Sequence, residues 1–227
     1  MGQDRPLLVL ENLSIGYNAV LASEISARIN AGEVIAVLGP SGVGKTTLVR
    51  TIAGLIEPIG GRVDLHVDRR GGLGYIPQKL GLVRHASVYH NVNLGARASL
   101  PVLQGGSEER KKRVNSALIA LGIEEKTAEP VRRLSGGQLR RVATARALAQ
   151  RPSLLLADEF LSELDHNTVD VVIAAVKEML DAGTSMVMVE HHEENVALLA
   201  TRVWLIEDEK FYDFSIDEWR ERVGEEE

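Results

Sequence analysis

Val34-Ile35-Ala36-Val37-Leu38 runs directly into Gly39-Pro40-Ser41-Gly42-Val43-Gly44-Lys45-Thr46, and the reading of this stretch decides the fold. The five apolar residues, rich in β-branched side chains, predict a strand. The eight that follow match G-x-x-x-x-G-K-[ST], the P-loop pattern, and a helical pattern over Thr46–Leu55 comes next. Strand, glycine loop and helix in that order are the context the pattern requires. The residue types explain its chemistry. Glycines let the backbone wrap closely around phosphates, and exposed amides at the helix start point at the anion. Lys45 adds a point charge for β- and γ-phosphates, and the Thr46 hydroxyl can ligate Mg²⁺.

Further apolar runs lie on either side. Leu7–Leu10 reads as a strand, and Leu154–Ala157, Ser185–Glu190 and Val203–Ile206 are near-continuous runs suited to a buried parallel sheet. With a helical pattern at Thr168–Leu180, they give the strand–helix alternation of an α/β fold with a mostly parallel sheet. Leu154–Ala157 ends in Asp158-Glu159. An acid at such a strand tip helps hold Mg²⁺ in P-loop enzymes, which suits Asp158, and the next carboxylate, Glu159, is placed to orient or deprotonate an attacking water. From about Lys79 to Gln150 the texture changes. Strand-like runs are absent, and helical patterns cover Glu108–Leu121 and Leu139–Leu148. Gln104-Gly105-Gly106-Ser107 marks a loop, with Ser107 a candidate N-cap. The stretch reads as a helical lobe inserted into the α/β domain.

Bulk properties bound the function. The 227 residues are 44% hydrophobic and 26% charged, enough for one large domain or a main domain with a smaller lobe. The absence of cysteine excludes disulfides and thiolate metal sites. A net charge of −6 counts against nucleic acid as a partner. Basic residues cluster at Arg110–Arg113 and around Arg132, Arg133, Arg140 and Arg141; the first cluster reads as a solvated helix face. Glu225–Glu227 reads as a solvated terminus. No stretch approaches the roughly 20 apolar residues of a membrane helix, and the run after Met1–Pro6 is too short for a signal peptide. A chain like this serves a membrane only by docking onto another subunit.

Leu134-Ser135-Gly136-Gly137-Gln138 adds something a generic P-loop protein lacks: small residues and free amides at the start of a helical pattern, a second anion site. This stretch resembles the signature sequence of the ABC ATPases, the nucleotide-binding subunits of ABC transporters. The resemblance extends over roughly Leu7 to Ile206, in the family's order. Tyr17 is positioned like the adenine-stacking aromatic, and Gly39, Ser41, Gly42, Gly44, Lys45 and Thr46, with Thr47 after them, match the phosphate loop. Gln78, in Tyr75-Ile76-Pro77-Gln78, resembles the glutamine that enters the helical lobe and contributes to the metal site beside Thr46 and Asp158. Ser162-Glu163-Leu164-Asp165 resembles the dimer-contact loop, and His191 the switch histidine that acts with Glu159 and Gln78.

The resemblance implies a RecA-like P-loop core over about residues 1–78 and 151–210, with a small antiparallel β part near the N-terminus. It also implies a helical subdomain over about 79–150 and a tail over 211–227. ATP and Mg²⁺ are the implied cofactors. A second ATPase subunit is the implied partner, paired head to tail so that Ser135, Gly136, Gly137 and Gln138 of one chain cap the other's ATP. Loss of the γ-phosphate would open the pair and drive separate integral membrane subunits, which would hold this chain, cytoplasmic and peripheral, on the inner face of the cell membrane. Three residues depart from the family pattern: Phe160 stands where proline is frequent, and Glu190 and His192 flank His191 where Thr and Asp are more usual. A soluble ABC ATPase of iron–sulfur assembly or another non-transport process is the alternative from another class; a P-loop kinase or GTPase is disfavoured by Ser135–Gln138 and Glu159.

Overall fold

The computed structural model describes residues 5–100, 106–162, 164–190 and 193–224, without the side chains of Asn167 and residues 193–195. Two compact units share the chain: Met1–Val67, Leu156–Glu159 and Ser185–Glu227 form one, and Asp68–Leu155 and Phe160–Thr184 the other.

In the first unit, β3 (Val34–Leu38) pairs in parallel with β7 (Ser185–Val189), Val34 opposite Met186 and Val37 opposite Val189. On its other side β3 pairs in parallel with β8 (Arg202–Glu207), Ile35 opposite Arg202 and Leu38 opposite Leu205. Every residue of β3 and β7 is buried, so these strands need apolar side chains on both faces, which is why they read as continuous runs rather than alternations. The strand order here is β6–β7–β3–β8–β9, with β6 at Leu154–Asp158 and β9 at Lys210–Ser215. β8 and β9 form an antiparallel hairpin turned by Asp208 and Glu209, both at positive φ (50° and 63°). Such a primed turn matches the right-handed twist of the strands it joins.

An antiparallel sheet of order β2–β1–β4 completes this unit, with β1 at Leu8–Gly16, β2 at Val20–Ile29 and β4 at Gly60–Leu65. β1 runs six residues beyond the apolar stretch that suggested it. Its register shifts between Leu10 and Leu13, where Asn12 sits at φ 46°. This bulge absorbs the polar pair Glu11-Asn12 and returns Leu13 and Ile15 to the buried face. The helix α1 (Lys45–Ile52) packs against β1, β4 and β7.

The second unit is mainly helical: α2 (Val88–Ser99), α3 (Gly106–Ala120), α4 (Gly136–Gln150) and α5 (His166–Asp181), with the short strand β5 (Leu73–Ile76) beside the start of β6. The first unit closes with α6 (Glu193–Leu199) and α7 (Ile216–Gly224). Ser107 is not a cap: α3 already includes Gly106, so Ser107 lies in its first turn, where Glu108 and Glu109 favour the positive end of the helix. Residues 104 and 105 lie outside the described set. Lys111 pairs with Glu108 and Arg113 with Glu109 along the same helix, whereas Arg141 is structural, donating to the carbonyls of Leu121 and Gly122. α4 occupies the centre of the unit, in contact with α2, α3, α5 and β5.

Gly95 sets the approach of α2 to α4. A methyl group there would meet the Arg146 carbonyl oxygen at 1.9 Å. Gly95→Ala is therefore expected to lower stability by about 1–3 kcal/mol, the ordinary cost of overpacking, read as a fall in the urea midpoint with the slope unchanged.

Candidate functional site

The carboxyl ends of β3 and β6 carry the polar residues of the first unit, as expected where parallel strands give way to helices. The loop from Gly39 to Gly44 connects β3 to α1. Gly39 lies at φ 138°, and a Cβ there would stand 2.1 Å from the Ile206 carbonyl oxygen; Gly44, at φ 109°, forms the N-cap of α1. Neither position accepts an L side chain without strain. At these two positions the backbone of the loop is left without a side chain.

Lys45 is 5% exposed and donates from Nζ to the carbonyl oxygens of Gly39 (2.7 Å) and Pro40 (2.8 Å), which holds the ammonium inside the curve of its own loop. Burial pushes its pKa below the ordinary lysine range, an effect opposed by the charges of Glu159 and Asp158. Thr46 Oγ1 donates to Asp158 Oδ1 at 3.0 Å, and Asp158 is fully buried. Glu159 follows with φ 53°, its amide donating to the Val189 carbonyl at the end of β7 (3.2 Å). A glutamate in the left-handed region carries strain that the surrounding structure must hold.

Tyr17, Leu21, Ser41, Gly42, Gly44, Lys45, Thr46, Thr47 and Glu159 line one cavity of about 330 Å³. Eight of the nine were singled out in the sequence; Leu21 carries no local signal and was missed. Tyr17 is 60% exposed at the mouth, on the turn between β1 and β2, and its phenol oxygen accepts from Arg50 Nη1 of α1 at 3.5 Å. Arg50 was also missed, because nothing in its sequence position separates it from an ordinary basic residue on a helix. A hydroxyl and a carboxylate oxygen at hydrogen-bond distance suit a hard divalent cation. Among the described residues no group of three His, Cys, Asp or Glu side chains could hold a metal. A cation held here would complete its shell from water and substrate oxygens, the habit of Mg²⁺.

In the second unit, Ser135 is the N-cap of α4. Its hydroxyl accepts from the Gln138 amide (3.3 Å) and its own amide donates to Gln138 Oε1 (3.0 Å), a complete capping box. Gln138 is thereby occupied with its own helix start, while the helix provides no acceptor for the amides of Gly136 and Gly137. Ser-x-x-Gln is also a capping-box pattern, a signal in the sequence that the motif reading did not use. Gln78 is exposed on the turn after β5. Asp165 caps α5, accepting from the amide and hydroxyl of Thr168 (2.9 and 2.8 Å), and the amide bond first of all holds its carboxyl below the usual range. Phe160 and Glu190 are both buried. His191, His192 and Glu163 lie outside the described residues.

The family model of the ABC transporter matches residues 22–162. The chain belongs to the ABC transporter family. A molybdate/tungstate import ATP-binding protein of Thermococcus kodakarensis is 36% identical over 206 residues, 87% of this chain and 61% of that one. An Fe(3+) ions import ATP-binding protein of Serratia marcescens is 35% identical over 210 residues, 86% and 59% of the two chains. The chain spans between 55% and 61% of the length of the curated relatives it matches. Among ABC transporter structures, a dimeric ATP-binding cassette bound to ADP and Pi superposes with a TM-score of 0.82 at 27% identity, over 92% of this chain and 98% of that one. The mostly parallel sheet and the antiparallel sheet near the N-terminus are thus those expected of an ABC cassette, and no helix among the described residues is long and apolar enough to cross a membrane.

The strain at Glu159 is measurable. Glu159→Gly should be more stable than Glu159→Ala by about 1 kcal/mol, because only glycine occupies the left-handed region without cost; urea midpoints of the two variants give the difference.

Proposed function

We infer that this chain binds ATP with Mg²⁺ and hydrolyses it as the ATP-binding subunit of an ABC transporter. The observation that carries the reading is the Thr46–Asp158 hydrogen bond at the end of the glycine loop, with Glu159 lining the same cavity. Ser41, Gly42, Gly44 and Thr47 offer the triphosphate their backbone amides, and Lys45 supplies the positive charge. Tyr17 offers its ring to the base. Thr46, Asp158 and Gln78 would hold Mg²⁺, which when bound screens the phosphate charge and polarises the γ-phosphoryl group. Glu159 is the general base: its carboxylate orients a water and takes its proton as the oxygen attacks the γ-phosphorus. His191 acts beside it on the same phosphate.

Ser135 and the amides of Gly136 and Gly137 serve a second chain's nucleotide, with Gln138 fixing the turn. Two copies, or this chain and a close homologue, pair head to tail around two ATP molecules and separate after hydrolysis. The core over about 1–78 and 151–210 holds the nucleotide, and the helical lobe over about 79–150 carries the signature and meets the membrane subunits. On this reading the chain is cytoplasmic and peripheral on the inner face of the membrane. Import is the direction favoured by the relatives, which include import ATP-binding proteins for molybdate/tungstate and for Fe(3+) ions.

Phosphate release with Mg²⁺ tests the reading. Glu159→Gln should cut turnover by roughly a hundredfold or more, the scale of a general base, keep ATP affinity, and run as a dimer in light scattering when ATP is present; turnover at the wild-type rate overturns the assignment. Lys45→Ala should weaken ATP binding itself by about tenfold or more, about 1.4 kcal/mol, in a direct nucleotide titration.

A further inference from the structure

The second unit contains a set of side-chain bonds to backbone that the nucleotide chemistry does not use. About three turns along α4 from the Ser135 cap, Arg146 donates from Nη1 to the Gly81 carbonyl and from Nη2 to the Leu80 carbonyl, both at 2.8 Å. About one turn further on, Gln150 Nε2 donates to the carbonyls of Gly71 (2.9 Å) and Leu73 (2.7 Å). Gln78 lies between the two gripped segments, with β5 before it and the Leu80-Gly81 turn after it. From α2, Asn91 is fully buried; its side chain accepts from the Val83 amide (2.7 Å) and donates to the Val83 carbonyl (3.2 Å) and the Ser87 carbonyl (3.0 Å). Gly95 in turn brings α2 against the backbone of α4 at Arg146.

We propose that Arg146 and Gln150 are positioning residues that bind the Gln78 segment to the signature helix, so that Gln78 and the Ser135 turn move as one body. The inference rests on the proposed function, in which Gln78 serves the nucleotide of its own chain and Ser135 that of the partner. A helix of 15 residues is a stiff rod about 22 Å long. With its first residue capped and two residues of its last turns bonded on either side of Gln78, a displacement at the Ser135 end is delivered to Gln78 without loss in the intervening chain. Engagement of the partner's nucleotide thereby sets where Gln78 stands. The guanidinium suits the task because two nitrogens fixed in one plane each donate to one of two adjacent carbonyls, a more rigid geometry than a single ammonium on a flexible stem provides. Leu80 and Gly81 both sit at φ 56°, a conformation that turns their carbonyls toward α4 and that the fork retains. Burial alone pushes the Arg146 pKa down.

The test uses the full chain as wild type, Arg146→Ala, Arg146→Lys and Gln150→Ala, the lysine variant keeping charge and stem where alanine fails to fold. Amide hydrogen exchange is read over residues 77–84, with residues 45–52 of α1 as the internal reference, and turnover is read against Mg²⁺ concentration. Exchange over 77–84 should quicken by about tenfold or more in the Arg146 variants as two charge-assisted bonds are lost. Half-saturating Mg²⁺ should rise roughly tenfold, the scale of a lost supporting contact at a metal site, while nucleotide affinity without metal stays at the wild-type value. Wild-type exchange over 77–84, or a lowered melting temperature with an unchanged Mg²⁺ requirement, overturns the proposal. A wild-type chain that releases no phosphate sinks the proposed function instead, and the exchange data then decide the staple by themselves.

Discussion

The hydrogen bond from Thr46 to the buried carboxylate of Asp158 joins the first turn of α1 to the tip of β6. A carboxylate with no exposed surface is costly unless polar partners stand close, and the fold supplies a hydroxyl at 3.0 Å and the charge of Lys45 nearby. Both partners come from a single loop-to-helix junction, and that junction exists because β3 is apolar on both faces and must end before anything polar begins. Apolar burial along the strands therefore determines where the charged groups collect. The chemistry sits at the rim of the sheet because the interior refuses it.

Strain completes what burial begins. Gly39 and Gly44 take dihedrals that an L side chain holds only with strain, and Glu159 is forced into the left-handed region with its amide tied to β7. The backbone held this way fixes where the Glu159 side chain leaves the main chain, at the edge of the cavity it lines. At the turn before α4 the device is different. Ser135 and Gln138 satisfy one another, and the reciprocal cap leaves two glycine amides as the outward feature of the helix start.

Much of this was legible in the chain, and the reasons are specific. Leu154–Ala157, Ser185–Glu190 and Val203–Ile206 each fall within a residue or so of an observed strand, since a strand buried on both faces advertises itself. β2 and β4 lie on a sheet whose one face is wet, and polar residues such as Glu24 and Arg62 interrupt them, so no run announced either. α2 was hidden for another reason. Its buried face includes Asn91 and Gly95, one serving a loop and the other a neighbouring helix, and neither counts as apolar in a periodicity. Within the site, the phosphate loop and the acid pair were readable because short motifs report them. Leu21 and Arg50 were not, because only the fold brings them there.

The bonds that shape the turn after Gln78 end on main-chain oxygens and one main-chain amide. An amide group looks the same whichever side chain it carries, so this turn can exchange Leu80 or Val83 over evolutionary time and still keep its path. The freedom is purchased by immobility elsewhere: Asn91 and Arg146 supply those bonds, and drift should halt at those two places. A turn held this way is free to change its outer side chains without disturbing the bonds beneath it.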